Sequence, residues 1–93
     1  MPSFEFGEGA RLLKQPLVSV VIVNWNGKHL LGECLDSLLA GHFDGLEIIL
    51  VDNGSQDGSA EYVRKRYQDV KVVSLPKNLG FAGGNNAGIR AVS

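Results

Sequence analysis

Residues 46–59, which read LEIILVDNGSQDGS, constrain the fold more than any other part of the chain. The apolar half of this stretch is too short for a helix and is followed by turn-forming residues. Such a run predicts a strand that is buried on both faces, the usual state of a central parallel strand. Asp52 then lies at the carboxyl end of that strand, where open α/β sheets bind their ligands. The next three residues favour a tight turn with free N–H groups; they are Asn53, Gly54 and Ser55.

The rest of the chain repeats this alternation of strand, turn and helix. Residues 17–23 are almost all β-branched and predict a second buried strand, and residues 70–75 predict a third. Apolar residues recur at helical spacing over residues 28–40 and 59–68, and a last helix is expected to have barely begun at Ser93. Each connection is long enough for a helical crossover, which is almost always right-handed. We therefore predict an α/β fold with a three-layer, Rossmann-like parallel sheet of strand order 3-2-1.

The composition is that of one small globular domain. The chain has 93 residues, of which 44% are hydrophobic and 20% charged, and this balance argues against disorder. The net charge of −1 without a basic face argues against nucleic acid as a partner. No apolar run approaches the roughly 20 residues that span a bilayer, and no signal-peptide pattern is present, so a cytoplasmic protein is expected. We interpret residues 1–15 as an N-terminal arm and residues 16–93 as the domain.

The sequence offers few residues for metal or redox chemistry. Cys34 is the only cysteine, and its position on the apolar stripe of the first predicted helix suggests a small buried hydrophobe. His29 and His42 have no second ligand nearby in the sequence, so no metal site is expected from either.

Each predicted strand ends in a polar or glycine-rich loop, and parallel strands bring such loops to one rim of the sheet. The loops are Asn24-Trp25-Asn26, Asp52 to Ser55, and Gly80 to Gly88. Their convergence is the strongest functional signal that the pattern alone provides.

Taken by itself, each loop has two interpretations. Asp52 either forms the turn and interacts with a helix dipole, or accepts hydrogen bonds from a ligand such as a base imide or a ribose hydroxyl. Trp25, the only tryptophan, either belongs to the core or stacks on a planar ligand. The glycine loop at residues 80–88 matches neither the Rossmann fingerprint nor a P-loop. Its glycines either pack a helix against the sheet or let a sugar or phosphate approach the backbone.

Four motifs, in this order, resemble the N-terminal half of family-two glycosyltransferases of the GT-A fold. They are VSVVIVNWNG, an amphipathic helix containing CLDSL, EIILVDNGSQDGS, and LPKNLGFAGGNNAGI. The resemblance extends over about residues 17–92 and is strongest to the bacterial rhamnosyltransferase-like branch. It implies inverting transfer of a sugar from a nucleotide-diphosphate donor to an acceptor hydroxyl, in cell-surface polysaccharide synthesis, by a protein that is cytoplasmic or peripheral at the inner membrane. The alternative is a non-catalytic nucleotide-binding module that acts with a partner chain.

The resemblance also implies roles for individual residues. Trp25 takes the position of the aromatic ring that lies against the nucleobase, and Asp52 takes that of the acid that reads the base. Val23 lacks the hydroxyl of the family's threonine, and Asn85 replaces an arginine that is common in the third loop. The residues expected to bind the nucleotide-sugar are Val23, Asn24, Trp25, Asn26, Asp52, Asn53, Gly54, Ser55, Gly80, Gly84 and Asn85.

In this family a divalent cation, Mg²⁺ or Mn²⁺, is held by an Asp-x-Asp motif after the third helix, and a later carboxylate is the general base. Neither lies within the 93 residues, so we expect the metal ligands and catalytic residues outside this chain, which we interpret as truncated before the motif. With strand order 3-2-1, the apolar first strand forms an edge where the family's next strand would pair. We therefore expect homo-oligomers through this strand, and the alternative is that residues 1–15 fold back and cover it within one chain.

Overall fold

The computed structural model describes residues 18–41 and 44–93. The expected arm, residues 1–15, lies outside the described residues. Strands and helices alternate in the chain, as predicted. The strands are β1 (Val18–Asn24), β2 (Leu46–Asp52) and β3 (Lys71–Ser74), and the helices are α1 (Lys28–Ala40), α2 (Ser59–Arg66) and α3 (Gly80–Arg90).

The three strands form one parallel sheet in the order β1-β2-β3, which confirms the predicted order 3-2-1. The register between β1 and β2 pairs Val18 with Leu46 at one end and Asn24 with Asp52 at the other. The last residue of β3 is level with these strand ends, because Ser74 pairs with Asp52. The polar ends of all three strands therefore meet at the carboxyl rim of the sheet.

The core consists of two apolar layers on either side of β2. On one face, Ile48 and Leu50 pack in a cluster with residues of α1 and α2. On the other face, Ile49 and Val51 pack with Ala87 of α3. All four β2 side chains are buried, which confirms that this strand is covered on both faces and that the fold has three layers.

Two predictions about burial are wrong. β1 was expected to be fully buried, but its residues from Ser19 to Val23 are only half-buried, because β1 is the edge of the sheet within the described residues. Cys34 is exposed instead of buried. The apolar stripe of α1 is narrower than its sequence suggests: Leu31 and Leu35 are buried, whereas Leu30 is 60% exposed.

The glycine-rich segment was expected to be a loop, and this is also wrong. α3 begins at Gly80 and ends at Arg90, so residues 80–88 are helical and Ser93 lies beyond the helix. The reason is packing, because a helix without side chains on one face approaches a sheet closely. The ends of α2 and β3 differ from the predicted ranges by only one or two residues.

Candidate functional site

The carboxyl rim is organised around a side-chain contact between β1 and β2. Asn24 and Asp52 pair directly across the two strands, and Asn24 Nδ2 donates to Asp52 Oδ1 at 3.2 Å. Both side chains are buried, with 7% and 5% of their surface exposed. Because an unpaired buried carboxylate is unfavourable, this hydrogen bond stabilises Asp52 at the end of its strand.

The two loops that follow these strands are cross-linked. Asp52 Oδ2 accepts the N–H of Ser55 at 3.2 Å, which closes the turn after β2. Ser55 Oγ in turn accepts the N–H of Asn26 at 2.8 Å, and Asn24 Nδ2 lies 3.4 Å from the same oxygen. Asn26, with a φ of 53°, also accepts the N–H of Gln56 through Oδ1 at 2.8 Å. Asp52 is thus a turn-former, and its role toward a ligand stays a prediction.

Trp25 lies between Asn24 and Asn26 and is 58% exposed. This exposure contradicts the interpretation of Trp25 as a core residue. The ring is instead presented to solvent next to the buried polar pair, in a place where a planar group can stack on it.

Asn53 and Gly54 hold the segment between β3 and α3 at the same rim. Asn53 is buried. Its side-chain Nδ2 donates to the C=O of Gly80 at 3.0 Å, and its side-chain Oδ1 accepts the N–H of Leu79 at 2.9 Å. Gly54 has a φ of 80°, and a Cβ there would lie 2.5 Å from the carbonyl carbon of Lys77. Both residues therefore hold the start of α3 against the turn after β2, which is a structural role.

Glycine allows α3 to pack directly on β1 and β2. A Cβ on Gly84 would lie 2.6 Å from Val23 Cγ1, and one on Gly88 would lie 2.3 Å from Val21 Cγ1. Val23 and Gly84 thus form a helix–sheet contact, which supports the packing interpretation of the glycines. Two other members of the predicted set are more accessible: Gly80 is exposed at the first turn of α3, and Asn85 is half-buried.

Asp57 is a rim residue outside the set that the sequence analysis predicts. Its Oδ1 accepts the N–H of Ser59, and its Oδ2 accepts the N–H of Lys28, each at 3.0 Å. Hydrogen bonds from the Ser59 hydroxyl and from these backbone groups lower the pKa of Asp57 below its ordinary value. Asp57 therefore joins the starts of α1 and α2, and no local sequence signal indicates its contact with α1.

The rim does not have the residues of a metal site. Residues 18–41 and 44–93 contain no group of three or more His, Cys, Asp or Glu that could hold a metal ion. The described residues therefore do not fit a divalent cation.

Within residues 18–41 and 44–93, no helix is long and apolar enough to cross a membrane.

Comparison with known proteins identifies relatives of this chain. A family model described as "Glycosyl transferase family 2" matches residues 19–93. An uncharacterized glycosyltransferase of Haemophilus influenzae is 32% identical over 81 residues, which are 84% of this chain and 25% of that protein. A hyaluronan synthase of Pasteurella multocida is 32% identical over 85 residues, which are 88% of this chain and 9% of that protein.

A solved structure has the same fold. It is a mannosyltransferase from Pyrobaculum calidifontis in complex with GDP-Man and Mn2+, a GT-A enzyme, and the two structures agree with a TM-score of 0.71 at 27% identity. The match covers 85% of this chain and 25% of that one. The chain therefore spans about a quarter of the length of the mannosyltransferase and of the Haemophilus relative. From the family match over residues 19–93, we conclude that this chain belongs to glycosyl transferase family 2.

Proposed function

We propose that this chain is the donor-binding part of an inverting glycosyltransferase that moves a sugar from a nucleotide-diphosphate sugar to an acceptor hydroxyl. The observation that carries the proposal is the placement of the exposed Trp25 ring beside the buried Asn24–Asp52 pair. Family membership and the GDP-Man complex of the structural neighbour support it.

In the proposed complex the nucleobase stacks on Trp25 and donates a base N–H to Asp52. A carboxylate offers about four lone-pair sites, and Asn24 and Ser55 occupy only two of them. The exposed Trp25 ring supplies contact area, and the Asp52 carboxylate fixes the orientation of the base. Small-molecule sites usually combine aromatic contact area with a few polar groups of this kind.

The predicted binding residues divide into two groups in this proposal. Trp25, Asn26, Gly80 and Asn85 are exposed or half-buried and contact the donor, together with Asp52. The remaining residues hold the loops in place through contacts within the protein; they are Val23, Asn24, Asn53, Gly54, Ser55 and Gly84.

The finer features of the activity are also proposals. The Mn2+ of the structural neighbour supports a divalent cation, Mg²⁺ or Mn²⁺, in the whole protein. Because the described residues do not fit such an ion, we assign it no ligand here.

The similarity to a hyaluronan synthase supports a role in cell-surface polysaccharide synthesis. The VNWNG motif supports the rhamnosyltransferase-like branch. We propose a cytoplasmic location, at the periphery of the inner membrane for the whole protein.

Nucleotide titration followed by tryptophan fluorescence tests the proposal, because Trp25 is the only tryptophan. We expect nucleoside diphosphates to quench the signal and Asp52→Ala to weaken binding roughly tenfold, a change of about 1.4 kcal/mol. Asp69→Ala is a matched control, because Asp69 is an exposed acid just before β3, at the opposite end of the sheet. An equal response of Asp52→Ala, Asp69→Ala and the unmodified chain would contradict the proposal.

A further inference from the structure

The loop after β1 is held in place by the loop after β2. The first loop, residues 25–27, joins β1 to α1, and the second loop, residues 53–58, joins β2 to α2. Ser55 Oγ accepts the N–H of Asn26 at 2.8 Å, and the N–H of Gln56 donates to Asn26 Oδ1 at 2.8 Å. These two hydrogen bonds, which we call the loop clamp, hold Asn26 by its main chain and by its side chain.

The loop clamp acts on an uncommon backbone conformation. Asn26 has a φ of 53°, in the left-handed region that residues with a Cβ rarely adopt and that asparagine tolerates better than most. A change of this φ rotates the peptide group that joins Asn26 to Trp25. The direction of the Trp25 ring relative to the rest of the rim therefore depends on the conformation that the clamp fixes.

The main chain of Trp25 is anchored on both sides, although 58% of its surface is exposed. On the preceding side, the C=O of the buried residue Asn24 accepts the N–H of Asn53 at 2.8 Å. The loop clamp follows directly, and beyond it the N–H of Lys28 donates to Asp57 Oδ2 at 3.0 Å. Because the ring is exposed, its orientation depends on this anchored main chain more than on packing of the side chain.

We propose that Ser55 is a positioning residue for nucleotide binding, because its hydroxyl, through the loop clamp, holds the Trp25 ring at the rim beside Asp52. This inference rests on the proposed function, in which the base stacks on Trp25. The N–H of Ser55 also donates to Asp52 Oδ2 at 3.2 Å, so one residue orients both groups that recognise the base. A ring that is already oriented loses less conformational freedom when a ligand binds, which favours affinity.

The decay of tryptophan fluorescence anisotropy tests the loop clamp without nucleotide, because Trp25 is the only tryptophan. Ser55→Ala removes the hydroxyl but keeps the N–H that donates to Asp52. We expect this variant to show a larger amplitude of nanosecond ring motion than the unmodified chain. Ser55→Thr keeps a hydroxyl and should restore the smaller amplitude. Ser37→Ala is the matched control, because it removes an exposed hydroxyl on α1.

A second pair of variants tests the other hydrogen bond of the loop clamp. Asn26→Gly tolerates the left-handed φ but removes Oδ1, whereas Asn26→Asp keeps an acceptor for the N–H of Gln56. In the absence of nucleotide, ring motion should increase in the glycine variant and not in the aspartate variant. Equal ring motion in these two variants would contradict the proposal.

Titration with a nucleoside diphosphate tests whether the orientation of the ring matters for binding. For variants that circular dichroism shows to be folded, we expect Ser55→Ala to weaken binding about three- to tenfold, the cost of ordering one mobile side chain. Ser55→Thr should recover most of the affinity, and Ser37→Ala should bind like the unmodified chain. Unchanged ring motion in Ser55→Ala, or increased motion with unchanged affinity, would overturn the proposal.

The two readouts separate this proposal from the proposed function. If the unmodified chain binds no nucleotide, the proposed function fails. A ring that is immobile in the unmodified chain and is released by Ser55→Ala would in that case still support the positioning of Trp25 by Ser55. If nucleotide binds and Ser55→Ala changes neither ring motion nor affinity, the proposed function stands and the positioning role of Ser55 is wrong.

Discussion

Asn24 and Asp52 form a buried hydrogen bond that joins the ends of two neighbouring strands, with 3.2 Å between Nδ2 and Oδ1. The strand register places these residues opposite each other, so the contact is a consequence of the fold. It also fixes one oxygen of the carboxylate that we propose to read the base. The stability of the sheet and the orientation of the site therefore depend on the same pair of residues.

Replacing Asn24 with aspartate should destabilise the fold in a pH-dependent manner. The substitution removes the donor to Asp52 and brings two buried carboxyl groups together, which favours protonation of one of them. We expect the free energy of unfolding to fall by about 2–3 kcal/mol at neutral pH, and by less in acid, where the pair can share a proton. Urea unfolding at several pH values measures this.

Asn26→Asp is the matched control for that experiment. Asn26 uses Oδ1 to accept the N–H of Gln56, and a carboxylate can accept the same hydrogen bond. The change in charge is identical, but Asn26 is only half-buried. Similar destabilisation by both substitutions would show that added negative charge, and not the buried contact with Asp52, causes the effect.

Gly88→Ala should destabilise the contact between α3 and the sheet. An added Cβ would lie 2.3 Å from Val21 Cγ1 and 3.1 Å from Val51 Cγ2, so the helix must shift away from the core. Overpacking of this kind costs about 1–3 kcal/mol and outweighs the roughly 1 kcal/mol by which alanine is favoured over glycine in a helix. Gly41→Ala is the control, because the nearest atom to a Cβ there is 3.8 Å away. Equal unfolding midpoints for the two variants would contradict the role assigned to Gly88.

The sequence predicts the sheet well because burial and spacing are local signals. The apolar run that ends at Asp52 indicates a central strand, and the helical crossovers then determine the strand order. The same reasoning places Asn24, Asp52 and the start of α3 on one rim. It does not predict that Ser55 joins the first two loops, because that contact depends on the register and on the path of the turn.

The prediction fails where tertiary packing overrides local propensity. Glycine disfavours helices, so the segment at residues 80–88 has the composition of a loop. It is helical because Gly84 and Gly88 allow close contact with Val23 and Val21, which the sequence alone does not reveal. Cys34 was predicted to be buried because the apolar stripe of α1 is wide in the sequence. In the structure the buried face of α1 is narrower, and Cys34 lies outside it.

Cys34 should react with thiol reagents in the folded protein. It is exposed on α1, in contrast to the buried Leu35 next to it. We expect one equivalent of a maleimide to be incorporated under native conditions, without an appreciable change in the circular dichroism spectrum. Cys34→Ser should abolish the labelling. Labelling that requires denaturant would show that the side chain is covered in solution.

Glu47 should make the fold sensitive to acid. It accepts hydrogen bonds from the Ser93 hydroxyl at 2.6 Å and the Ser19 hydroxyl at 2.8 Å, and Lys71 Nζ lies 3.6 Å away. These contacts, the Ser93 hydroxyl first among them, lower the pKa of Glu47 from 4.5 to about 2. Because the folded state binds this proton less tightly than the unfolded state, Glu47 contributes its full stabilisation above pH 4.5. That stabilisation is lost as the pH falls from 4.5 toward about 2.

Glu47→Gln isolates this contribution, because glutamine has nearly the same shape and does not titrate. At pH 6 the variant should be less stable than the unmodified chain, since the amide is a weaker acceptor for the Ser93 hydroxyl and has no charge to interact with Lys71. Between pH 4.5 and 2 the free energy of unfolding should fall more steeply in the unmodified chain, so that the two curves approach each other near pH 2. Urea unfolding across this range gives both curves. Parallel curves would mean that Glu47 does not carry the acid sensitivity.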